Sequence, residues 1–208
     1  MFRDSKLTSF SSDLPNLTNG IGMFYYCSNL REFNCNNLRS LTNGKYMFQN
    51  CGKLESFTNN LSKLTNGEGM FAKCPSLTTF YSDLSSLTNG RYMFGDCDEL
   101  ESFYSDSSGS SVNLSALTDG DYMFYNCTSL TSFICPSLSE NVDVGESDTG
   151  NTAYAMFYNC TSLTSFDSDL SKVTDGRYMF YNCYNLTPEF YDDLSKLKNA
   201  DYMFYNCF

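Results

Sequence analysis

The sequence lacks histidine and tryptophan altogether, and it contains only four prolines. Histidine is the usual general base and the commonest metal ligand, and it completes the Ser-His and Cys-His pairs of many hydrolases. Its absence argues against an enzyme, so we expect no catalytic residues and no cofactor. The cysteines nowhere form a Cys-x-x-C pair, and a zinc site is therefore not expected either.

Basic residues are also few, because 13 Lys and Arg stand against 24 Asp and Glu and give a formal net charge of −11. Nucleic acids and acidic membrane surfaces are bound through clustered Lys and Arg, so we expect no nucleic-acid partner. No apolar run reaches the roughly 18 residues of a membrane span, which argues against direct membrane insertion. The first ten residues, MFRDSKLTSF, lack the layout of a signal peptide.

What the sequence does have is repetition, most plainly in a recurring Met-Phe pair. The pair begins at Met23, Met47, Met70, Met93, Met123, Met156, Met179 and Met203. Five intervals are 23 or 24 residues long, and the intervals of 30 and 33 indicate insertions near residues 105–112 and 139–152. Met1 begins a weaker ninth copy. We therefore predict a single repeat domain over residues 1–208 with about nine coils.

The shared frame is M-F-x-x-C-x-x-L-x-x-F-x-x-x-L-x-x-L-T-N-G-x-Y, and each copy predicts one coil of a solenoid. Alternation around the second Phe, as in Thr79-Phe80-Tyr81-Ser82, predicts one short parallel strand per coil. Thr-Asn-Gly predicts a turn in which glycine adopts backbone angles that other residues resist. The segment after it predicts a short helical or 3₁₀ turn, which makes the fold class α/β. Stability would lie in the interfaces between coils.

The frame M-F-x-x-C-x-x-L-x-x-F resembles the BspA-like leucine-rich repeats, whose units read A-F or M-F followed by x-x-C-x-x-L-x-x-L/V/I. The resemblance covers essentially the whole chain and implies a right-handed leucine-rich-repeat solenoid used for adhesion or recognition. It also implies an extracellular, cell-surface or virion-surface location, since the family is associated with surface proteins of host-associated bacteria and protists, with related repeats in phages. The Ser-Asp-Leu after the strand departs from the family pattern.

Eight of the ten cysteines hold one column, four residues after each Met. An even count in a secreted protein would favour disulfides, but a strict single column favours small buried thiols that pack coil on coil. The other two occupy an inward strand position. That position holds Ser12, Cys35, Asn59, Ser82, Ser105, Cys135 and Ser168.

Outward strand positions are where solenoids usually bind their ligands. Tyr81, Tyr104 and Ile134 fall on successive coils and predict an amphipathic strip suited to a sugar or an extended peptide. The alternative is that aromatic and β-branched residues simply suit strands. The candidate ligand-binding residues are Asn34, Thr58, Thr79, Tyr81, Ser102, Tyr104, Ser132, Ile134, Asp167 and Tyr191.

A second aromatic column follows the Met-Phe pairs and indicates either a lateral adhesive surface or ordinary half-buried tyrosines. Its members are Tyr25, Tyr125, Tyr158, Tyr181 and Tyr205.

The two insertions predict loops beside Tyr104 and Ile134. The first is interpreted as a flexible Ser/Gly loop. In the second, Asp143, Glu146 and Asp148 are weak candidates for calcium, but they lack the spacing of an EF-hand and fit a solvated acidic loop better.

These patterns predict a non-enzymatic binding or adhesion module that recognises a protein or glycan through the strand face and the insertion loops. The alternative is a structural component of a virion, appendage or filament. In that case the solenoid ends would self-associate end to end, or flanking domains of a longer protein would cover them, because an open end exposes apolar side chains and a strand edge.

Overall fold

The computed structural model of the chain describes residues 1–136, 138, 153–187 and 194–207. Successive coils contribute one short strand each, and every strand pair is parallel, as the sequence predicts. The strands are β1 (Ser9–Ser11), β2 (Glu32–Asn34), β3 (Ser56–Phe57), β4 (Thr79–Tyr81), β5 (Ser102–Tyr104), β6 (Ser132–Cys135) and β7 (Ser165–Ser168). Equivalent repeat positions are paired, so each row of the frame runs along the solenoid.

The strands form three short sheets, in the orders β1-β2, β3-β4-β5 and β6-β7. A second line of parallel bridges joins the coils at the Asn of Thr-Asn-Gly. It pairs Asn19 with Asn43, Asn43 with Asn66, and Asn66 with Asn89. Neighbouring coils are therefore joined by backbone pairing at two separate places.

The core is built around two columns of phenylalanine rings, one from the Met-Phe pairs and one from the strands. Within a column the rings are nearly parallel: Phe24 and Phe48 have centroids 5.3 Å apart at 1°, and Phe33 and Phe57 lie 5.9 Å apart at 14°. Between columns the rings meet edge to face, as Phe24 and Phe33 do at 5.5 Å and 75°. Such aromatic pairs each add about 0.5–1.5 kcal/mol beyond area burial, so the two columns bind the coils together.

The segment around the Met-Phe pair contains no helix in the described part of the chain, so the helical or 3₁₀ turn of the predicted α/β class is not confirmed there. Alternate backbone amides of this segment donate to carbonyls of the next coil. The Gly22 amide donates to the Lys45 carbonyl at 3.0 Å, and the Phe24 amide donates to the Met47 carbonyl at 2.8 Å. The amide of Met23, between them, closes a tight turn onto the Gly20 carbonyl at 3.0 Å. Half of the amides thus pair between coils, and consecutive turns replace a helix.

The glycine of Thr-Asn-Gly is required for space rather than for unusual backbone angles, which corrects the sequence-based interpretation. None of these glycines has a positive φ in the described coils. A Cβ at Gly67 would lie 2.8 Å from the Sδ of Met93 in the next coil and 3.2 Å from a Leu87 methyl. The glycine makes room for the buried Met of the following repeat.

The threonine and asparagine of Thr-Asn-Gly each satisfy backbone groups. The Thr65 hydroxyl donates to the Thr42 carbonyl of the previous coil at 3.1 Å, and this bond recurs along the column. The Asn66 side chain accepts from the Glu68 amide at 3.0 Å, which closes an Asx turn. All three residues of the motif therefore have a structural role.

The eight cysteines of the column are thiols, in agreement with the thiol interpretation. Each donates to the Phe carbonyl of the preceding coil, as Cys97 does to Phe71 and Cys127 to Phe94 at 3.2 Å. Burial raises the pKa of the Cys97 thiol far above its usual range, and it raises the pKa of Cys127 likewise. These thiols therefore stay protonated and act as buried hydrogen-bond donors.

The inward strand position is also as expected at Cys35, Asn59, Ser82 and Cys135, all of which are buried. The prediction for Ser105 is wrong, because Val112 is buried with 1% exposure and takes its place. The Val112 amide donates to the Ile134 carbonyl at 3.2 Å, as Ser82 does to Tyr104 one coil earlier at 3.1 Å. The coil thus leaves its regular path after Tyr104 and resumes it at Val112.

Candidate functional site

The strands place most of the candidate ligand-binding residues in two rows on one face. Register pairs Thr79 with Ser102 and Tyr81 with Tyr104, while the Phe between each pair points into the core. In the next sheet, Ser132 pairs with Ser165, and Ile134 pairs with Asp167. We call these outward rows the strand face. Asn34, Thr58 and Asp167 also lie exposed on it.

The tyrosines at the centre of this face form a pair. The rings of Tyr81 and Tyr104 have centroids 6.1 Å apart and planes tilted by 33°, and both side chains are half-buried. Ile134 is 40% exposed one coil further on, but its strand β6 belongs to a separate sheet. The predicted strip is therefore a tyrosine pair followed by a step to Ile134.

The loop that makes this step follows Tyr104 directly. The Asp106 carboxylate accepts from the amide and hydroxyl of Ser108 at 2.8 and 2.5 Å, and these bonds lower the pKa of Asp106 to about 2. The Ser105 amide donates to the Ser110 carbonyl at 3.0 Å and closes the base of the loop. These bonds within the loop join its two ends and brace its turn.

Four of the predicted residues lie outside the described part of the chain. They are Tyr191 of the strand face and the calcium candidates Asp143, Glu146 and Asp148 of the second insertion. Within the described ranges, no group of three or more His, Cys, Asp or Glu side chains is placed to hold a metal ion. No helix in those ranges is long and apolar enough to cross a bilayer.

A second surface, larger than the tyrosine pair, lies on the Met-Phe side of the solenoid. Successive rings are stacked there: Tyr125 on Tyr158 at 5.1 Å, Tyr158 on Tyr181 at 4.7 Å, and Tyr181 on Tyr205 at 4.8 Å. A parallel column packs beside it. We call the eight rings the tyrosine surface: Tyr122, Tyr125, Tyr154, Tyr158, Tyr178, Tyr181, Tyr202 and Tyr205.

An asparagine row follows the tyrosine surface, one residue later in each coil. It consists of Asn126, Asn159, Asn182 and Asn206, and each has a left-handed φ of 59 to 62°. Each side-chain amide donates to the side chain before it, at 2.9 Å from Asn159 to Asn126 and 2.7 Å from Asn182 to Asn159. Asparagine tolerates this backbone conformation better than most residues, which explains the recurrent Asn-Cys pair.

A recess lies in the first coils, away from the tyrosine surface. There Gly22 occupies the position before Met that Tyr46 holds in the next coil. The missing ring leaves an open recess of about 570 Å³ walled by Tyr25 and Tyr46. Arg3 lies at its edge, with the guanidinium carbon 4.6 Å from the Tyr25 ring centroid. In the sequence, only Gly22 itself indicates this recess.

One-strand coils, two lines of parallel pairing between coils and an outward strand face define a leucine-rich-repeat solenoid, a class that generally serves as a binding module. A profile of BspA type leucine rich repeat regions matches residues 1–119 and 103–207, with six copies. The chain belongs to this family, which is typically non-catalytic.

The chain is also similar to solved structures of other proteins. The crystal structure of a leucine-rich repeat protein from Bacteroides ovatus is 17% identical to this chain, with a TM-score of 0.31. The match covers 88% of this chain and 66% of the other, so the chain spans less than two thirds of that protein's length. A search of curated proteins returned no match.

Proposed function

We propose that the protein is a non-catalytic adhesion module that recognises an extended protein segment or a glycan through the strand face. The observation that carries this proposal is the in-register pair Tyr81 and Tyr104, whose half-buried rings lie side by side on that face. Membership of a repeat family of binding modules supports the same role.

The core does not need these two tyrosines. Phe80 and Phe103, between the outward residues, fill the core and are at most 4% exposed. A tyrosine presents an apolar ring and a hydroxyl at low entropy cost, which suits a sugar ring or the side chains of a peptide. The loop after Tyr104 adds backbone and serine hydroxyl groups that the shorter coils before it lack. It would give this part of the face its specificity.

The test is a Tyr81→Ala, Tyr104→Ala double variant screened on an array of glycans and matrix proteins. We expect at least a tenfold loss of affinity, about 1.4 kcal/mol, for the ligand that the unchanged protein retains. Tyr158→Ala, Tyr181→Ala is the matched control and should retain that ligand. Equal binding by the strand-face variant, with an unchanged unfolding midpoint, would place the site elsewhere.

An extracellular, cell-surface or virion-surface location is part of this proposal and rests on the family alone. Sequencing of the flanking coding region tests it, since an export signal, an anchor or a virion domain would identify the setting. A coding region that lacks all three would contradict it.

The alternative function is a structural rod whose coils stack end to end. Phe2 and Phe10 of the first coil are only partly buried, whereas Phe24 and Phe33 of the second are buried. Another copy of the chain, or flanking sequence in a longer protein, would cover them. Light scattering at rising concentration tests self-association, and a strict monomer at the highest concentration would contradict it for this chain.

A further inference from the structure

The tyrosine surface is a feature that the repeat does not require. In earlier coils the column of Tyr158 and Tyr181 holds Gln49, Ala72 and Gly95, and the Phe core beside them continues unchanged. The rings are therefore present for a reason other than core packing. Their ladder is continuous from Tyr122 to Tyr205.

The rings form a lattice with a regular spacing. Neighbours along each column lie 4.7 to 5.5 Å apart. The two columns also touch each other, as at Tyr178 and Tyr181 with 5.8 Å between centroids. Stacking restricts the rings before any ligand arrives, which lowers the entropy cost of binding. The surface is therefore rigid and repeats once per coil.

The polar groups beside the rings have unused hydrogen-bonding capacity. Among the described residues, no protein acceptor meets the hydroxyl of Tyr158 or Tyr181, whereas the hydroxyl of Tyr92 donates to Asp96. Each internal member of the asparagine row uses one N–H and one lone pair along the row, as Asn159 does. The second N–H and the second lone pair of each amide remain for a ligand.

The surface carries little charge. Tyrosine and asparagine are neutral, and burial beside the neighbouring tyrosines raises the pKa of Tyr158 further. Two cations lie over its rings, and both are paired: Arg177 with Asp175 at 2.6 Å beside Tyr154, and Arg91 with Asp121 at 2.8 Å beside Tyr122. An anionic polymer would find no unpaired cation over these rings, so the chemistry favours a neutral ligand over an anionic one.

We propose that the tyrosine surface and the asparagine row bind a neutral linear polysaccharide that runs along the solenoid. Because the rings from Tyr125 to Tyr205 stack face to face, successive sugars would lie across their outer edges, and the tyrosine hydroxyls and asparagine amides would pair with the sugar hydroxyls. A surface that repeats once per coil, at a spacing close to one hexose unit, fits a ligand that repeats as well. The tyrosine surface belongs to the Met-Phe segment and the strand face to the strands, so the two surfaces are built from different parts of each coil.

The test combines two assays. Insoluble cellulose, chitin and mannan are used in co-sedimentation, and soluble xylan is used in native gels. Alginate, in the same gels, is the charged comparison. We expect retention by at least one neutral polymer and none by alginate. Tyr158→Ala, Tyr181→Ala should lower that retention at least tenfold, while Tyr81→Ala, Tyr104→Ala should leave it unchanged. The Tyr158→Phe, Tyr181→Phe pair keeps the stacking and isolates the hydroxyls; it should bind with intermediate strength.

Three results would overturn the proposal. The first is no retention by any neutral polymer, and the second is equal retention by the alanine pair when circular dichroism shows both proteins folded. The third is a dimer in sedimentation velocity that the alanine pair abolishes, since the partner would then be a second copy of the chain. Each result leaves the strand-face proposal standing, because that proposal is judged with the other tyrosine pair.

Discussion

At the scale of single residues, glycine and methionine occupy complementary positions in successive coils. A methyl group added to the Gly67 Cα would collide with the Sδ of Met93, and both residues are buried. Overpacking of a close-packed core commonly costs about 1–3 kcal/mol. We expect Gly67→Ala to lower the free energy of unfolding by that amount, measured by urea denaturation followed by circular dichroism.

The matched control for this prediction is Gly52→Ala. An added Cβ at Gly52 meets nothing within 4 Å, and its φ is not in the left-handed region. That variant should be as stable as the unchanged protein, or slightly more stable. Equal stability of both alanine variants would show that Met93 moves aside without cost.

The residue scale also shows where sequence reasoning fails. The frame identifies the core residues, because a single column of Phe or Leu can only point one way in a coil. It assigns Ser105 inward because serine fits that column, yet the insertion displaces it and Val112 is buried instead. A period gives the position of each residue in a regular coil, but it does not say where a longer coil returns to register.

At the scale of the elements, the tight-turn segment depends on two left-handed residues per coil. One is the residue before the column Cys, where Asn50 has φ 62° and Lys73 has φ 60°. The left-handed conformation costs an ordinary residue about 1–2 kcal/mol, and asparagine recovers part of this. We expect Lys73→Asn to raise the free energy of unfolding by about 0.5–1 kcal/mol, read from the urea midpoint.

The comparison variant is Lys63→Asn, an exposed lysine whose φ is not positive. It should leave the midpoint unchanged or lower it slightly. If both asparagine variants shift the midpoint equally, backbone strain at Lys73 is not the cause.

The strands and the turn segment differ in how far the sequence predicts them. Alternation around Phe80 gives the strand, its buried residue and its outward pair, because side chains alternate in any strand. The turn segment has the same length as a helical turn, and no periodicity shows whether its amides bond within one coil or to the next. The sequence indicates only one of the two columns of the tyrosine surface. In the other column, Tyr154 lies one position out of register with Tyr122 and Tyr178, so the repeat frame does not align it with them.

At the scale of the whole molecule, the buried thiols act together on stability. Burial raises the pKa of Cys51, Cys74, Cys97, Cys127, Cys160 and Cys183. An unfolded thiol ionises near pH 8.5, whereas these stay protonated in the fold. Above that pH the unfolded state loses protons that the folded state keeps. Each thiol then lowers stability by up to about 1.4 kcal/mol per pH unit.

We therefore expect the thermal midpoint to be flat from pH 6 to 8 and to fall steeply from pH 8.5 to 9.5, in a scan by differential calorimetry. A Cys97→Ala, Cys127→Ala variant should start lower but decline less steeply, because two of the thiols that ionise only on unfolding are gone. An unchanged midpoint from pH 8 to 9.5 would contradict protonation of the folded thiols.

In the described coils, the turn, threonine and cysteine columns each keep one direction of hydrogen bonding between coils, and this gives the solenoid a polarity. Turn amides donate forward, as Gly44 does to Asn66, while the Thr65 hydroxyl and the Cys97 thiol donate backward. The leading and trailing faces of a coil therefore present different groups, and two like faces cannot satisfy each other. Copies that extended the stack would have to join head to tail. Such heterologous contacts produce open filaments rather than closed two-fold dimers.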